Sequence, residues 1–172
     1  MSDHHQQFMQ RAIELAQHGR FTTTPNPNVG CVIVSAEGDV VGEGWHHKAG
    51  EPHAEVHALQ QAGSKAEGAT CYVTLEPCSH YGRTPPCADR LIAANVAEVV
   101  CAMEDPHSKV AGKGFQKLRD AGIKVTVGIL NAQANAINPR FLTAMRENRS
   151  FVQVKLAASL DGKTALSNGD SQ

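Results

Sequence analysis

Runs of β-branched residues alternate with helix-like segments along most of this chain, and this alternation limits the possible folds more than any other feature. The runs VGCVIVS and VVGEGW are joined by AEGD, a combination typical of a β-hairpin. After the hairpin, helical and strand patterns follow one another as far as residue 129. This order predicts an α/β fold in which a mixed central sheet has helices on its faces and a parallel second half.

The hydrophobic periodicity also predicts where the individual elements lie. We expect helices over residues 3–18, 53–63, 88–95 and 112–122, a last helix over 131–149 that breaks near Pro139, and strands over 29–35, 40–45, 70–75, 97–103, 123–129 and 151–159. A boundary after the last helix would separate one domain, residues 1–149, from a short segment, residues 150–172.

The composition excludes several classes of protein. With 172 residues, 41% of them hydrophobic and 19% charged, the chain is long and apolar enough for one globular domain. A net charge of −1 lacks the basic excess typical of nucleic-acid-binding proteins, so we expect no nucleic-acid partner. No apolar run approaches the ~20 residues of a membrane span, and the first residues lack the apolar core of a signal peptide. We therefore expect no membrane partner and a cytoplasmic location.

The five cysteines divide into two groups. An odd count without an export signal argues against a disulfide framework and leaves core packing or metal binding. Cys31, Cys71 and Cys101 lie inside apolar strand runs, where we expect them to be buried core residues. Cys78 and Cys87 instead lie in the loop-like stretch LEPCSHYGRTPPC.

Cys78 and Cys87 form a candidate metal site with His53. Each lies where a predicted strand leads into a helix, and such turns meet at the carboxyl ends of the strands. One histidine and two cysteines suit tetrahedral Zn²⁺, and three protein ligands leave a fourth position for chemistry. Glu55, two residues after His53, is placed to take a proton from water and pass it to a substrate.

A closed structural zinc site is the alternative interpretation. His57, one helical turn from His53, or His80 could supply a fourth ligand. That arrangement would leave Glu55 without a role, so we favour the open, catalytic site.

The motif His-x-Glu followed by Pro-Cys-x2-Cys is the signature of zinc deaminases, and this chain has Pro-Cys-x8-Cys instead. The six additional residues do not forbid chelation, because the entropy of loop closure rises slowly with length. They would bring His80, Tyr81 and Arg83 to the rim of the site, and an arginine is well suited to bind a phosphate.

The motifs PNPNVG, HAEVHA and EPCSHYGRTPPC together resemble the deaminase domain of the bifunctional riboflavin-biosynthesis deaminase/reductases, over about residues 6–150. The resemblance implies the three-layer α/β/α, cytidine-deaminase-like fold and a Zn²⁺ cofactor. It also implies the reaction, hydrolytic deamination of 2,5-diamino-6-ribosylamino-4(3H)-pyrimidinone 5′-phosphate to 5-amino-6-ribosylamino-pyrimidinedione 5′-phosphate.

The resemblance assigns a role to each candidate site residue. The residues are Glu55 for catalysis, His53, Cys78 and Cys87 for the metal, and Asn26, His46, His80, Arg83, Asp105 and His107 for the substrate. His46 is chosen over His47 on the resemblance, since alternation along a strand lets only one of the two face the site. The family's usual Asp-Pro-Asn-Pro reads Asp105-Pro106-His107-Ser108 here, which puts the role of His107 in doubt.

Residues 150–172 resemble the start of the family's NADPH-dependent reductase domain. Such a domain needs about 150 or more residues, so we expect neither reductase activity nor NADPH-binding residues in this chain. The resemblance also implies a homodimer or larger homo-oligomer.

Two other functions remain as alternatives. A nucleoside, base or tRNA deaminase could use the same zinc core, although only 5% of the residues are aromatic, few for a nucleic-acid surface. A zinc-stabilised binding module without catalysis is the other, and the substitution Glu55→Gln would distinguish it from an enzyme.

Overall fold

A five-stranded mixed sheet forms the centre of the molecule. The structure, a computed structural model, describes residues 3–81, 85–107 and 111–170. The strands are β1 (Gly30–Val34), β2 (Val40–Trp45), β3 (Thr70–Val73), β4 (Glu98–Cys101) and β5 (Lys124–Val127). Their spatial order is β2-β1-β3-β4-β5, with β1 antiparallel to both β2 and β3. Strands β3, β4 and β5 are parallel. The predicted hairpin and parallel second half are therefore confirmed.

Within the described residues, six α-helices cover the two faces of this sheet. They are α1 (Asp3–Gln17), α2 (Ala54–Ala62), α3 (Cys87–Ala93), α4 (Lys113–Asp120), α5 (Asn131–Ala136) and α6 (Pro139–Glu147). Helices α2, α3 and α4 pack with one face of the strands, and α1, α5 and α6 pack with the other. The central strands β1, β3 and β4 are almost entirely buried because both of their faces are covered. The three-layer α/β/α prediction is confirmed.

The cysteines within the strands belong to the core. Cys31, Cys71 and Cys101 are fully buried among the side chains that face α2, α3 and α4. Their thiols have no access to solvent, in agreement with the prediction from sequence.

The predicted break in the last helix is also present. Helix α5 ends at Ala136, and Pro139 is the first residue of α6. A proline is well tolerated at that position, because its missing N–H would have no partner within the helix.

The strand predicted over residues 151–159 is wrong. These residues have no regular secondary structure, and Val152, Val154 and Leu156 are between 74% and 80% exposed. The apolar side chains alternate as in a strand, but β2 and β5 remain the edges of the sheet and neither pairs with this segment.

No helix among the described residues is long and apolar enough to cross a membrane.

Candidate active site

Two strand-to-helix connections, β2–α2 and β3–α3, bring the candidate metal ligands together at the carboxyl ends of these strands. His53 is the N-cap residue of α2, and Cys87 is the first residue of α3. Cys78 follows β3 by five residues. The backbone N–H of Cys87 donates to Cys78 Sγ at 3.3 Å, and the N–H of Ala88 donates to the Cys78 carbonyl at 3.1 Å. These two bonds hold the two cysteines side by side.

The distances between the ligand atoms fit a tetrahedral metal ion. His53 Nδ1 lies 3.3 Å from Cys87 Sγ and 3.7 Å from Cys78 Sγ, and the three ligand atoms lie within 4.8 Å of one another. A tetrahedral Zn²⁺, with its usual bond lengths to nitrogen and sulfur, separates such atoms by about 3.5 Å. In the part of the chain that the structure describes, neither His57 nor His80 joins this cluster, which leaves the fourth position open.

The three ligands share their protons unequally when no metal ion is bound. The hydrogen bond with Cys87, followed by that with His53, lowers the pKa of Cys78 to about 4, against the opposing effect of burial. The hydrogen bond with Cys78 and burial raise the pKa of Cys87 well above its ordinary value. The hydrogen bond with Cys78 raises the pKa of His53 to about 9. Binding of a dication would therefore release the protons held by Cys87 and His53.

Glu55 is a buried carboxylate beside this cluster. Its side chain is 3% exposed, and no described residue offers a hydrogen bond to Oε2. Burial raises the pKa of Glu55 above its ordinary value. A buried polar atom without a partner is costly to stability, so an oxygen left in this state beside a cavity is typical of a functional group.

A cavity of about 560 Å³ opens over the cluster and Glu55, within the usual size of a small-molecule site. Eight of the residues predicted for the site line it: Asn26, His46, His53, Glu55, Cys78, His80, Asp105 and His107. Cys87 lies behind them as a buried member of the metal cluster. Arg83 is outside the described residues.

Asn26 and His46 form one wall of the cavity. The Asn26 amide Nδ2 lies 3.0 Å from His46 Nε2, while His46 Nδ1 lies 3.1 Å from the Pro52 carbonyl. This arrangement makes His46 Nδ1 the donor to Pro52 and Nε2 the acceptor from Asn26, which is the neutral form of the ring. Burial lowers the pKa of His46, which favours the same form. His47 points elsewhere and stacks on His57, with ring centroids 4.2 Å apart.

Asp105 and His107 form another part of the cavity wall. Asp105 Oδ1 accepts a hydrogen bond from the backbone N–H of His107 at 2.8 Å, so the two residues are fixed relative to each other. Burial raises the pKa of Asp105. His80 lies at the exposed rim of the cavity.

Five further residues line the cavity without having been predicted: Pro27, Val29, Leu75, Glu76 and Phe141. Glu76 had a visible signal, since a glutamate between Leu75 and Pro77, directly after a buried strand, is an unusual place for a charge. Phe141 had none, because it reaches the cavity from α6, far along the chain.

Comparison with known proteins identifies the family. Residues 2–103 match the family model described as the cytidine and deoxycytidylate deaminase zinc-binding region. The riboflavin biosynthesis protein RibD of Escherichia coli is 61% identical over 165 residues, which are 96% of this chain and 45% of that protein. The diaminohydroxyphosphoribosylamino-pyrimidine deaminase of Buchnera aphidicola is 51% identical over 139 residues, 81% of this chain and 94% of that protein.

A solved structure of Acinetobacter baumannii RibD has the same fold, with a TM-score of 0.90 and 56% identity over 98% of this chain and 47% of that one. The chain thus spans less than half the length of the RibD relatives that it matches. The family match and the His–Cys cluster confirm zinc as the cofactor. The chain belongs to the cytidine and deoxycytidylate deaminase family of zinc-binding domains, within the group that contains the riboflavin-biosynthesis deaminases.

Proposed function

We propose that this chain deaminates 2,5-diamino-6-ribosylamino-4(3H)-pyrimidinone 5′-phosphate in riboflavin biosynthesis. Water adds to the ring carbon that bears the 2-amino group, the bond from that carbon to the amino nitrogen breaks, and ammonia and 5-amino-6-ribosylamino-pyrimidinedione 5′-phosphate are released. The observation that carries the proposal is the buried carboxylate of Glu55, which shares a cavity with His53 and Cys78 and whose Oε2 has no hydrogen-bond partner among the described residues.

The metal and Glu55 divide the chemistry. His53, Cys78 and Cys87 would hold zinc, which supplies Lewis acidity that makes water a stronger nucleophile near neutral pH. Glu55 would accept one proton from the attacking water and deliver it to a ring nitrogen. It would then take the second proton from the hydroxyl group of the adduct and deliver it to the amine, which leaves as ammonia while the carbonyl forms. Its burial keeps bulk water from competing for that proton.

The remaining site residues would orient the substrate. Asn26 would hydrogen-bond polar atoms of the substrate through its Oδ1, and Asp105 would do so from another part of the cavity. His46, whose two ring nitrogens are engaged by Asn26 and Pro52, would orient Asn26 and contact the substrate with the face of its ring. Arg83, which is outside the described residues, is proposed to bind the phosphate because a guanidinium pairs well with phosphate oxygens. His80 and His107 are proposed as further substrate contacts near the rim.

The substitution Glu55→Gln tests the proposal. It keeps the size of the side chain but removes the proton carrier, so ammonia release should fall at least about 100-fold while zinc stays at about one ion per chain. Glu51→Gln is the matched control, since Glu51 is an exposed carboxylate four residues earlier and should leave the rate unchanged. Full activity of the Glu55→Gln variant would refute the catalytic role of Glu55, whereas a wild-type protein that binds zinc but releases no ammonia would favour a zinc-stabilised binding module.

The choice of substrate is tested separately. The purified protein should release ammonia from the pyrimidinone ribosyl phosphate and not from cytidine, cytosine or tRNA. Release from one of the latter three alone would assign the zinc site to a different deaminase.

We further propose that residues 1–149 form the deaminase domain and residues 150–172 begin a reductase domain, which would bind NADPH. The exposed apolar residues of the second segment support this division, since they would be covered by further strands.

We also propose that the protein acts in the cytoplasm as a homodimer or larger homo-oligomer. Two measurements test these proposals. A longer chain should reduce the deaminated product with NADPH, and analytical sedimentation should give a mass of at least a dimer.

A further inference from the structure

The carboxylate of Glu76 is surrounded by backbone N–H groups. Oε2 accepts hydrogen bonds from the N–H groups of Asp105 at 3.2 Å and Gly112 at 2.9 Å. Oε1 accepts from Gly114 at 2.8 Å and from Phe115 at 3.4 Å. The side chain is 4% exposed, and the ion pairs found among the described residues do not include it. Burial raises the pKa of Glu76, and the partners that oppose this effect among the described residues are backbone N–H groups.

These contacts fasten the start of α4 to the segment that carries a metal ligand. Gly112 is the N-cap residue of α4, so the carboxylate lies at the positive end of the helix dipole. The packing is close, since a Cβ atom on Gly114 would lie 2.0 Å from the carbonyl oxygen of Pro77. Glu76 and Pro77 immediately precede Cys78, so any movement of α4 would be transmitted to the metal cluster.

The same carboxylate also fixes one wall of the cavity. It holds the backbone of Asp105, and Asp105 in turn holds the N–H of His107 through Oδ1 at 2.8 Å. Asp105 and His107 both line the cavity, together with Cys78. Glu76 is thus the common contact of the metal-ligand segment, the Asp105–His107 wall and helix α4.

We propose that Glu76 is a positioning residue that sets the distance between the metal cluster and the Asp105–His107 wall, and thereby determines how tightly the substrate is bound. The inference rests on the proposed deaminase function. Since Glu76 is not required to move a proton, its loss should weaken substrate binding far more than it slows the chemical step.

The substitution Glu76→Gln tests this inference. A glutamine has the same length but only one acceptor oxygen, so its NH₂ group would face two of the four N–H donors. We expect KM to rise about tenfold or more, kcat to change by less than about threefold, and zinc to remain near one ion per chain. An unchanged KM, a fall in kcat as large as the rise in KM, or loss of zinc would each overturn the inference.

Glu98→Gln is the matched control. Glu98 is also a partly buried glutamate with two side-chain partners, Lys124 and Thr126, but it lies at the first residue of β4, away from the cavity. Its substitution should leave KM unchanged. A rise equal to that of Glu76→Gln would show that any lost carboxylate has the effect, and would overturn the inference.

Amide hydrogen exchange gives a readout that does not depend on turnover. In the wild-type protein the N–H groups of Asp105 and Gly112 should exchange slowly, and in Glu76→Gln the protection of Asp105 should fall at least about tenfold. Rapid exchange of both amides in the wild type would overturn the positioning role even if the variant failed to fold. Wild-type protein that releases no ammonia would refute the proposed function, and the exchange measurement would still decide whether Glu76 holds this wall.

Discussion

The side chain of Asn138 should contribute strongly to stability, because it joins the start of α6 to Asn28 in the loop before β1. Its Oδ1 accepts a hydrogen bond from the backbone N–H of Asn28 at 2.7 Å, and its Nδ2 donates to the Asn28 carbonyl at 2.9 Å. The side chain is 5% exposed. Although Asn138 is the N-cap residue of α6, its side chain makes no capping hydrogen bond, so its energetic role lies in the contact with Asn28.

The substitution Asn138→Ala would leave both backbone groups of Asn28 without this partner. Each buried polar group that loses its partner costs about 1–3 kcal/mol. Because Asn28 is only half-buried, water would recover part of that cost, and we expect a total loss of about 2–4 kcal/mol. Such a loss is a large fraction of the roughly 5–15 kcal/mol that stabilise a typical domain.

Urea unfolding of the zinc-loaded protein measures this loss as a lower midpoint at unchanged slope. Asn135→Ala is the control, since the amide of Asn135 bonds only to Asn131 within the same helix, and its free energy of unfolding should change by less than about 0.5 kcal/mol. A loss below about 0.5 kcal/mol in Asn138→Ala would refute the reasoning.

Two further predictions concern a surface ion pair and the metal. In Glu43→Gln the two hydrogen bonds between Arg11 and Glu43 are weakened, which should cost at most about 1 kcal/mol of unfolding free energy at pH 7 because the pair is largely exposed. The bond with Arg11 lowers the pKa of Glu43, so this stabilisation is present above the ordinary carboxyl pKa of 4.5 and is lost as the pH falls through the lower folded value. Urea unfolding at neutral and acid pH should therefore show a difference that vanishes in acid, and a difference that persists there would contradict the assignment. In Cys87→Ser the zinc content should fall from about one ion per chain to near zero, whereas Cys101→Ala, at a buried cysteine outside the cluster, should retain it; metal analysis showing equal zinc in both would exclude Cys87 as a ligand.

The sequence predicted the metal cluster because each part of it depends on local structure. His53 and Cys87 lie at the starts of helices, and Cys78 follows a strand. The helix and strand patterns were therefore enough to predict that all three lie near the carboxyl ends of the strands. Alternation along a strand predicted that only one of His46 and His47 would face the site, and the family resemblance selected His46. In the structure His46 lines the cavity and His47 stacks on His57.

The parts that the sequence did not predict depend on distant residues. Phe141 lines the cavity only because α6 is held against the first loop by the Asn28–Asn138 contact, which spans 110 residues. The role of Glu76 depends on four N–H groups between residues 105 and 115. The prediction of a strand over residues 151–159 was wrong for the same reason, namely that it depends on a distant part of the chain. Alternation of apolar side chains indicates an extended conformation, but a strand also needs a neighbouring strand to pair with.

The unusual spacing of the two cysteines shows which interactions determine the metal geometry. Two hydrogen bonds align Cys78 with Cys87: the N–H of Cys87 donates to Cys78 Sγ, and the N–H of Ala88 donates to the carbonyl oxygen of Cys78. Both bonds lie at the ends of the intervening loop. The eight residues between the cysteines can therefore vary in number without moving the sulfur atoms, provided that the loop closes, and closure costs little more for a longer loop. The two cysteine positions of the metal site therefore depend on the start of α3 and on the segment after β3.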